Sequence, residues 1–577
     1  MSDHCKDGAE PPSDGERGRE CGAFTVGFSC GSLRERIRLD VGRDMDRRDL
    51  LHGAATAAGW ALLGGVLARA PELLAQPALG PGLPFDWEGL QAQARELSRQ
   101  PFEAPGDQRP EQLAQLTWDQ YDALRFRPDH ALWADTDLPF RVEFFHLGSY
   151  YRAAVRIFVV DNGEARPVEY DPGLFDYGPT RFDPPLPHDL GFAGWRLHFH
   201  TNFPQDVAVF LGSSYFRATD AGDQYGISCR GLAIDSVSDR AEEFPRFSRF
   251  WLVRPRPTDT ALTAYALLES ESITGAYRFG ISPGGVTTMD VTARLFPRQP
   301  IARLGIAPMT SMFWFGENEK RGTDEWREEI HDSDGLSMWR GNGEWVWRPL
   351  TNPATLQVST FLDENPRGFG LLQRDRDFAH YQDEAFRYER RPSVWIEPLA
   401  SWGRGRILLG EIPTEGETDD NIVAFWEPET KAVPGADLAV SYRIYWAQKP
   451  PVQPSVAICV GSRIGRGGVT GFVQPNPKNL RKFVVDFAGG DLPLIPRDAP
   501  VEPVINLSRG KVEPVTSLGG LVRVSPFLRP LPEIGGWRCT FDISWEGTEP
   551  IDIRLYLRLG PTTLTETWLY LWHPPHA

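Results

Sequence analysis

The chain has 577 residues, a formal net charge of −17 and an aromatic share made up of 19 Trp, 33 Phe and 15 Tyr. That sign excludes a nucleic-acid partner, because phosphate neutralisation needs clustered Lys and Arg. The roughly 500 residues beyond the start exceed one ordinary core, so two domains are expected.

Residues 1–44 are polar, Gly-rich and without apolar periodicity, and are expected to be a disordered or non-physiological extension. Met45 opens MDRRDLLHGAATAAGWALLGGVLARA, with the pair Arg47-Arg48 ahead of an uncharged run of 13 residues, Ala54 to Val66. That run has the length of a signal-peptide core and is too short to span a bilayer. Residues 45–76 are therefore expected to be a twin-arginine signal peptide, with Met45 the initiator and the periplasm the destination. The mature chain should begin between Pro71 and Pro84.

Apolar residues at helical spacing predict two helical pieces in 85–128, FDWEGLQAQARELSR and PEQLAQLTWDQYDALRF. After Leu138 the pattern changes to short β-branched and aromatic runs parted by Gly, Pro, Asp and Asn. These include Arg141 to Phe145, Val155 to Val160, Trp195 to Phe199, Val207 to Leu211, Leu262 to Leu268, Thr288 to Phe296 and Arg406 to Ile412. Strand and helix do not alternate, so the fold class is all-β, with a large antiparallel β-sandwich over 84–426. A linker-like stretch runs through Pro434-Gly435. Seven or eight strand-like runs follow, from Leu438 to Trp446 onwards, and predict an immunoglobulin-like β-sandwich over 435–577.

Of six cysteines, Cys229, Cys459 and Cys539 lie in the folded part, far apart and odd in number. No CxxC or Cys/His metal spacing, phosphate loop or dinucleotide fingerprint occurs, so no metal and no cofactor is expected. Three buried thiols are expected ahead of a disulfide.

The stretch from Ile330 to Pro349, IHDSDGLSMWRGNGEWVWRP, concentrates His331, Asp332, Asp334, Arg340, Arg348, Trp339, Trp345 and Trp347. Flat aromatics can stack on sugar rings, Arg can bond hydroxyls, and carboxylates can do acid/base work. A tryptophan-rich hairpin turning at Gly341-Asn342-Gly343 accounts for it equally well. Glycoside hydrolysis needs two carboxyl groups with different jobs. The candidates are Asp332, Asp334, Asp363, Asp375, Asp377, Asp383, Glu417, Asp419 and Asp420. His331 reads as an alternative base, and His380 as a lyase base. No GxSxG elbow is present, which disfavours an esterase.

The same stretch resembles the periplasmic glucan biosynthesis proteins G and D. The likeness extends through IAPMTSMFWFGENE (Ile306 to Glu319), NPRGFGLLQRDRDFAHYQD (Asn365 to Asp383) and ERRPSVWIEPL (Glu389 to Leu399). It also takes in EIPTEGETDDNIVAFW (Glu411 to Trp426) and GSSYFRATDAGDQYGISCRGLAID (Gly212 to Asp235). It covers nearly everything after Pro84, and the twin-arginine pair brings it nearest the D type. The resemblance implies a mutarotase- or polysaccharide-lyase-like N-terminal sandwich, an immunoglobulin-like C-terminal one, and control of the backbone of osmoregulated periplasmic glucans. It implies an inverting endo-β-1,2-glucanase, with transglycosylation an allied activity, in which Asp420 is the general acid and Asp332 the general base. Tyr388 would organise the water network, and Trp339, Arg340, Trp345, Tyr381 and Glu417 would bind sugar. Asp419 is expected to raise the Asp420 pKa by like-charge repulsion. The competing reading is a non-catalytic glucan-binding or assembly factor for the membrane glucan synthase. The oligomeric state stays open, a homodimer included.

Overall fold

The computed structural model describes residues 76–320, 324–468, 479–513, 515–516, 523–524 and 526–575. The leader and the extension before it fall, but for Gln76, outside the described residues. No helix among those residues is long and apolar enough to cross a membrane.

The first helix, Trp87–Leu97, starts where Asp86 accepts a hydrogen bond from Gly89 N. It buries Leu90 and Ala94, one turn apart, and the Ala94 carbonyl accepts a hydrogen bond from Thr274 Oγ1 at 2.7 Å. The second predicted helical piece is broken into Glu111–Ala114 and Trp118–Asp122. Thr117 starts a new helix there: its hydroxyl accepts from Gln120 N while its own N–H donates to the Gln120 side chain.

Everything that follows is β-structure, in two main layers. The smaller layer has ten strands, among them Gln357–Glu364, Arg404–Glu411, Ile422–Pro428, Leu304–Ser311, Ser228–Arg230 and Tyr215–Ala218 in that lateral order. The larger has sixteen. Its centre is the antiparallel meander Leu262–Glu269, Ile273–Ser282 and Thr287–Pro297, followed laterally by Leu438–Ala447, Ser393–Pro398, Gly368–Leu372, Gly335–Trp339 and Trp345–Pro349. Alternation along Thr287–Pro297 sends Met289, Val291, Ala293 and Leu295 inward. They join one core with Trp195, Phe210, Phe279 and Trp446. A buried ion pair crosses between the layers: Arg348 Nη2 donates to Glu411 Oε2 at 3.0 Å, and Glu411 Oε1 accepts from Thr351 N at 2.7 Å.

Three sequence expectations need correction. The pairing is not uniformly antiparallel, because Arg246–Val253 runs parallel to Arg156–Asp161 and Trp345–Pro349 runs parallel to Thr567–Trp572. The strand Leu438–Ala447, read as the first of the C-terminal sandwich, lies between Thr287–Pro297 and Ser393–Pro398 in the middle of the large sheet. And the C-terminal strands do not form two sheets of their own. Thr567–Trp572, Ile551–Leu559 and Val501–Leu507 extend the large sheet through the parallel joint Val346↔Thr567. Only the five-stranded sheet built on Ile458–Arg466, Leu480–Ala488 and Gly536–Ser544 is separate. Its core is shared accordingly: Trp345, Trp347 and Trp395 pack with Phe483, Phe541 and Trp568. Cys229, Cys459 and Cys539 are buried free thiols.

Candidate active site

Asp332 and Asp420 are distant in sequence, and a single short strand, Phe313–Phe315, brings them together. Phe313 pairs with His331 on one side. On the other it is clamped by Asn421, whose Oδ1 accepts from Phe313 N at 2.8 Å and whose Nδ2 donates to Phe313 O at 2.9 Å. Each carboxylate is therefore one residue away from a partner of Phe313. The loop before Asp420 is pinned again by Asn352, which accepts from Thr414 N and donates to Thr414 O and Trp314 O.

The two carboxyl groups sit in unequal surroundings. Asp332 is buried and accepts a hydrogen bond from Arg391 Nη1, while its own N–H donates to Met312 O at 2.8 Å. Burial pushes its pKa above the ordinary carboxylate range, and Arg391 and His331 pull it back. Asp420 keeps part of its surface open to solvent but is ringed by protein on the scale over which charges act. Burial, and then the charge of Asp332, push its carboxyl up to about 7, against the pull of Arg217, Arg391 and Arg230. The like charge felt by Asp420 is thus mainly that of Asp332. Asp419, expected to supply it, turns instead towards Thr414, whose Oγ1 donates to it at 3.3 Å.

Tyr388 and Glu417 complete the cluster. The Tyr388 hydroxyl donates to Glu417 Oε2 at 2.6 Å, and the Arg391 guanidinium lies 4.1 Å from the centre of the Tyr388 ring. Burial raises the Tyr388 pKa well above its usual value, so the phenol stays protonated. Glu417 Oε2 also accepts from Arg327 Nη1 at 2.8 Å, and the same nitrogen reaches Asp383 Oδ2 at 2.7 Å. Beside Arg327 stands Trp326, 66% exposed, the one fully surface tryptophan among the described residues.

His331 is not a free base. Its Nδ1 donates to Gln373 Oε1 at 2.8 Å and its Nε2 donates to Glu329 Oε2 at 2.9 Å. Burial alone would lower its pKa, but the bond to Glu329 and that group's charge lift it to about 9, so it is an imidazolium in the working range. His380 is likewise engaged with Asp375 Oδ2, at 2.6 Å. Glu329, Asp375 and His380 bring ligand atoms within 4.8 Å of one another, a geometry that could hold a metal, but each is already paired with an imidazole or a carboxylate.

The expected sugar-binding residues divide. Glu417 is in the cluster. Tyr381 is 0% exposed, and its hydroxyl donates to Asp375 O and accepts from Gln373, so it is a packing residue beneath Tyr388. Trp345 is buried against Trp339 and Trp395 in the core shared with the C-terminal strands. Trp339 lies four residues along its strand from Gly335, about 13 Å at the usual rise, at the end away from Asp332. Arg340 donates to Glu344 and Leu362 O and lines a different cavity of about 920 Å³. That groove touches none of Asp332, Asp420, Tyr388 or Glu417, and its carboxylates are engaged with Arg406, Arg404 and Gly341 N. It is therefore not the candidate chemical site. Arg391, Arg217, Arg230, Tyr215 and Trp326 are the residues that sequence reasoning missed. Four lie in or beside strings already singled out, but an arginine in a sequence carries no sign of which carboxylate it will meet.

The fold and site define a class: a two-layer β protein with an unequal pair of carboxyl groups set among arginines. The chain belongs to the family described as "Periplasmic glucan biosynthesis protein, MdoG", whose profile matches residues 85–572. It is 48% identical over 543 residues to a protein of Xanthomonas campestris pv. campestris named "Glucans biosynthesis protein D", covering 92% of this chain and 99% of that one. A Stenotrophomonas maltophilia protein of the same name is 48% identical over 539 residues, covering 92% and 98%. The resemblance drawn from the sequence motifs is borne out. Among solved structures, a GH36 α-galactosidase from Geobacillus stearothermophilus aligns with 38% of this chain and 30% of its own, at 11% identity and a TM-score of 0.22, too slight to bear on fold or function.

Proposed function

We propose that the protein acts in the periplasm on osmoregulated glucans and cuts or remodels their β-1,2-linked backbone, with Asp420 as general acid and Asp332 as general base. The observation that carries this is the unequal pair. Asp420 is lifted to about 7 and so holds a proton near neutrality. Asp332 is gripped by Arg391, which favours its ionised form. Two carboxyls whose surroundings divide their roles are what glycoside hydrolysis requires. The family description and the names of the relatives support a glucan as the substrate and the periplasm as the compartment.

In this scheme Asp420 delivers its proton to the departing glycosidic oxygen. Asp332 receives a proton from the attacking water, with the Tyr388 hydroxyl, its hydrogen turned to Glu417, offering its oxygen to that water. Arg217, Arg230 and Arg391 keep the ionised forms tolerable as charge moves. The exposed face of Trp326 suits a sugar ring. The test is incubation with linear β-1,2-glucan, chromatography of the products and NMR of the anomer first released. Shortened chains with inverted ends are expected. Binding without shortening would leave the non-catalytic reading in its place.

A further inference from the structure

Gln373 sits behind the carboxylate cluster, 1% exposed, and touches both of its halves. Its Nε2 faces three oxygens: His331 O at 2.9 Å, Tyr381 Oη at 3.0 Å and Tyr388 O at 3.2 Å. His331 O belongs to the peptide that carries Asp332, and Tyr388 is the residue bonded to Glu417. Gln373 Oε1 accepts from the His331 imidazolium, so the amide cannot be turned over without losing every one of these bonds.

The residue after Gln373 is held from the other end of the molecule. Arg374 makes a two-pronged pair with Glu566, Nη1 to Oε1 at 2.6 Å and Nη2 to Oε2 at 3.1 Å. Its Nη1 also donates to Cys459 O at 2.9 Å, and its guanidinium lies 3.6 Å from the Trp347 ring centre. Glu566 is 1% exposed and is itself fixed by Cys459 N at 2.8 Å. Asp334, two residues after Asp332, closes the ring by accepting from Arg374 N and Asp375 N.

We infer that Gln373 is a positioning residue for the acid/base cluster, and that the C-terminal strands, through Glu566 and Arg374, set its place. The C-terminal region then serves the site as a clamp rather than as an appended module. This rests on the reaction proposed above. A second bridge between the same regions, Arg554 Nη2 to Glu344 Oε1 at 2.7 Å, lies on the tryptophan hairpin and touches nothing in the cluster. It provides the control.

The experiment compares full-length Glu566→Gln and Arg554→Gln with the unchanged protein, by kcat and KM on linear β-1,2-glucan and by amide hydrogen exchange. Glu566→Gln should lower kcat about 10- to 100-fold with KM within about twofold, as misplaced catalytic groups do. It should speed exchange in residues 371–376 and 386–391. The acid limb of kcat should move to higher pH, because a loosened Asp332 loses part of the Arg391 interaction. Arg554→Gln should change none of these. Wild-type kcat and exchange in Glu566→Gln would overturn the clamp, as would an equal loss in Arg554→Gln. If Glu566→Gln does not fold, Arg374→Lys and Gln373→Glu carry the same expectations. If the unchanged protein does not shorten the glucan, the reaction reading fails, while the exchange measurements still decide the clamp.

Discussion

Asp332 and Trp345 come from the same stretch, Ile330 to Pro349, and both end up buried, at 5% and 9% exposure. For Asp332, burial raises the cost of its charge and calls in a guanidinium, so the residue becomes a titratable group with a defined partner. For Trp345, burial completes a stack, Trp339 to Trp345 at 5.1 Å and Trp345 to Trp395 at 5.7 Å, and the ring disappears into a core shared with the C-terminal strands. One end of the stretch carries chemistry and the other carries cohesion. Composition alone does not separate them, because a stacked indole serves a sugar or a core equally well.

The comparison breaks most readily at the carboxylate end. Asp420→Asn should reduce turnover of β-1,2-glucan by about 10²–10⁴-fold, and Asp332→Asn similarly, with glucan binding retained in each, measured by initial rates beside calorimetric binding. The wild-type profile should be bell-shaped, failing above a pH of about 7 as Asp420 ionises. The same residue has a stability signature. Its folded pKa lies above its unfolded value, so the stabilisation is whole below the unfolded pKa of 3.8 and is lost as pH rises to about 7. Asp420→Asn should therefore gain on wild type, by up to a few kcal/mol, as urea melts are taken from acid to neutral pH. An inactive variant that is also no more stable at pH 8 would mean that Asp420 is not the buried acid described here.

At the tryptophan end the expected damage is to folding. Trp345→Ala should cost about 3–5 kcal/mol of stability by urea denaturation. The kcat of the protein that remains folded should stay within about twofold of wild type. If binding of glucan falls instead while stability holds, Trp345 is a sugar platform after all. Trp326→Ala is the mirror case. Its ring is on the surface, so stability should be unmoved, and KM should rise about 2- to 10-fold, the scale of one lost aromatic contact.

How much of this was legible in the sequence differs between the two ends for physical reasons. Gly335–Trp339 and Trp345–Pro349 are buried almost throughout, so no period-two alternation marks which face meets solvent. Read as residues, the hairpin and the platform were indistinguishable. The strand Leu438–Ala447 was legible as a strand, but its neighbours Thr287–Pro297 and Ser393–Pro398 are remote in the chain, and its own composition is silent about them. Asp332, Asp420, Tyr388 and Glu417 emerged from the family resemblance, and the fold places the four in one cluster. Arg391 stood in ERRPSVWIEPL and Arg217 in GSSYFRATD, both strings quoted for that resemblance. An arginine in sequence usually signals a solvated surface; only the layers of the fold turn these two towards the carboxylates.

The smallest effect should come from the carboxylate that looks most suspicious in the sequence. Asp419 precedes Asp420 directly, and adjacency suggests that two like charges must repel. Neighbouring residues in an extended segment, however, project their side chains to opposite sides. Asp419 accordingly accepts from Thr414 Oγ1, within its own loop, while Asp420 turns to the field of Asp332, Arg217 and Arg391. Asp419→Asn keeps an oxygen for Thr414 and removes a charge that hardly reaches the acid. Turnover should stay within about twofold and stability within about 0.5 kcal/mol. The basic limb near 7 should not move, measured as kcat against pH for the variant beside wild type. A downward shift of that limb by one unit or more would show that Asp419 does raise the Asp420 pKa. Loss of turnover in Asp419→Asn together with an intact Asp420→Asn would exchange the roles of the two neighbours.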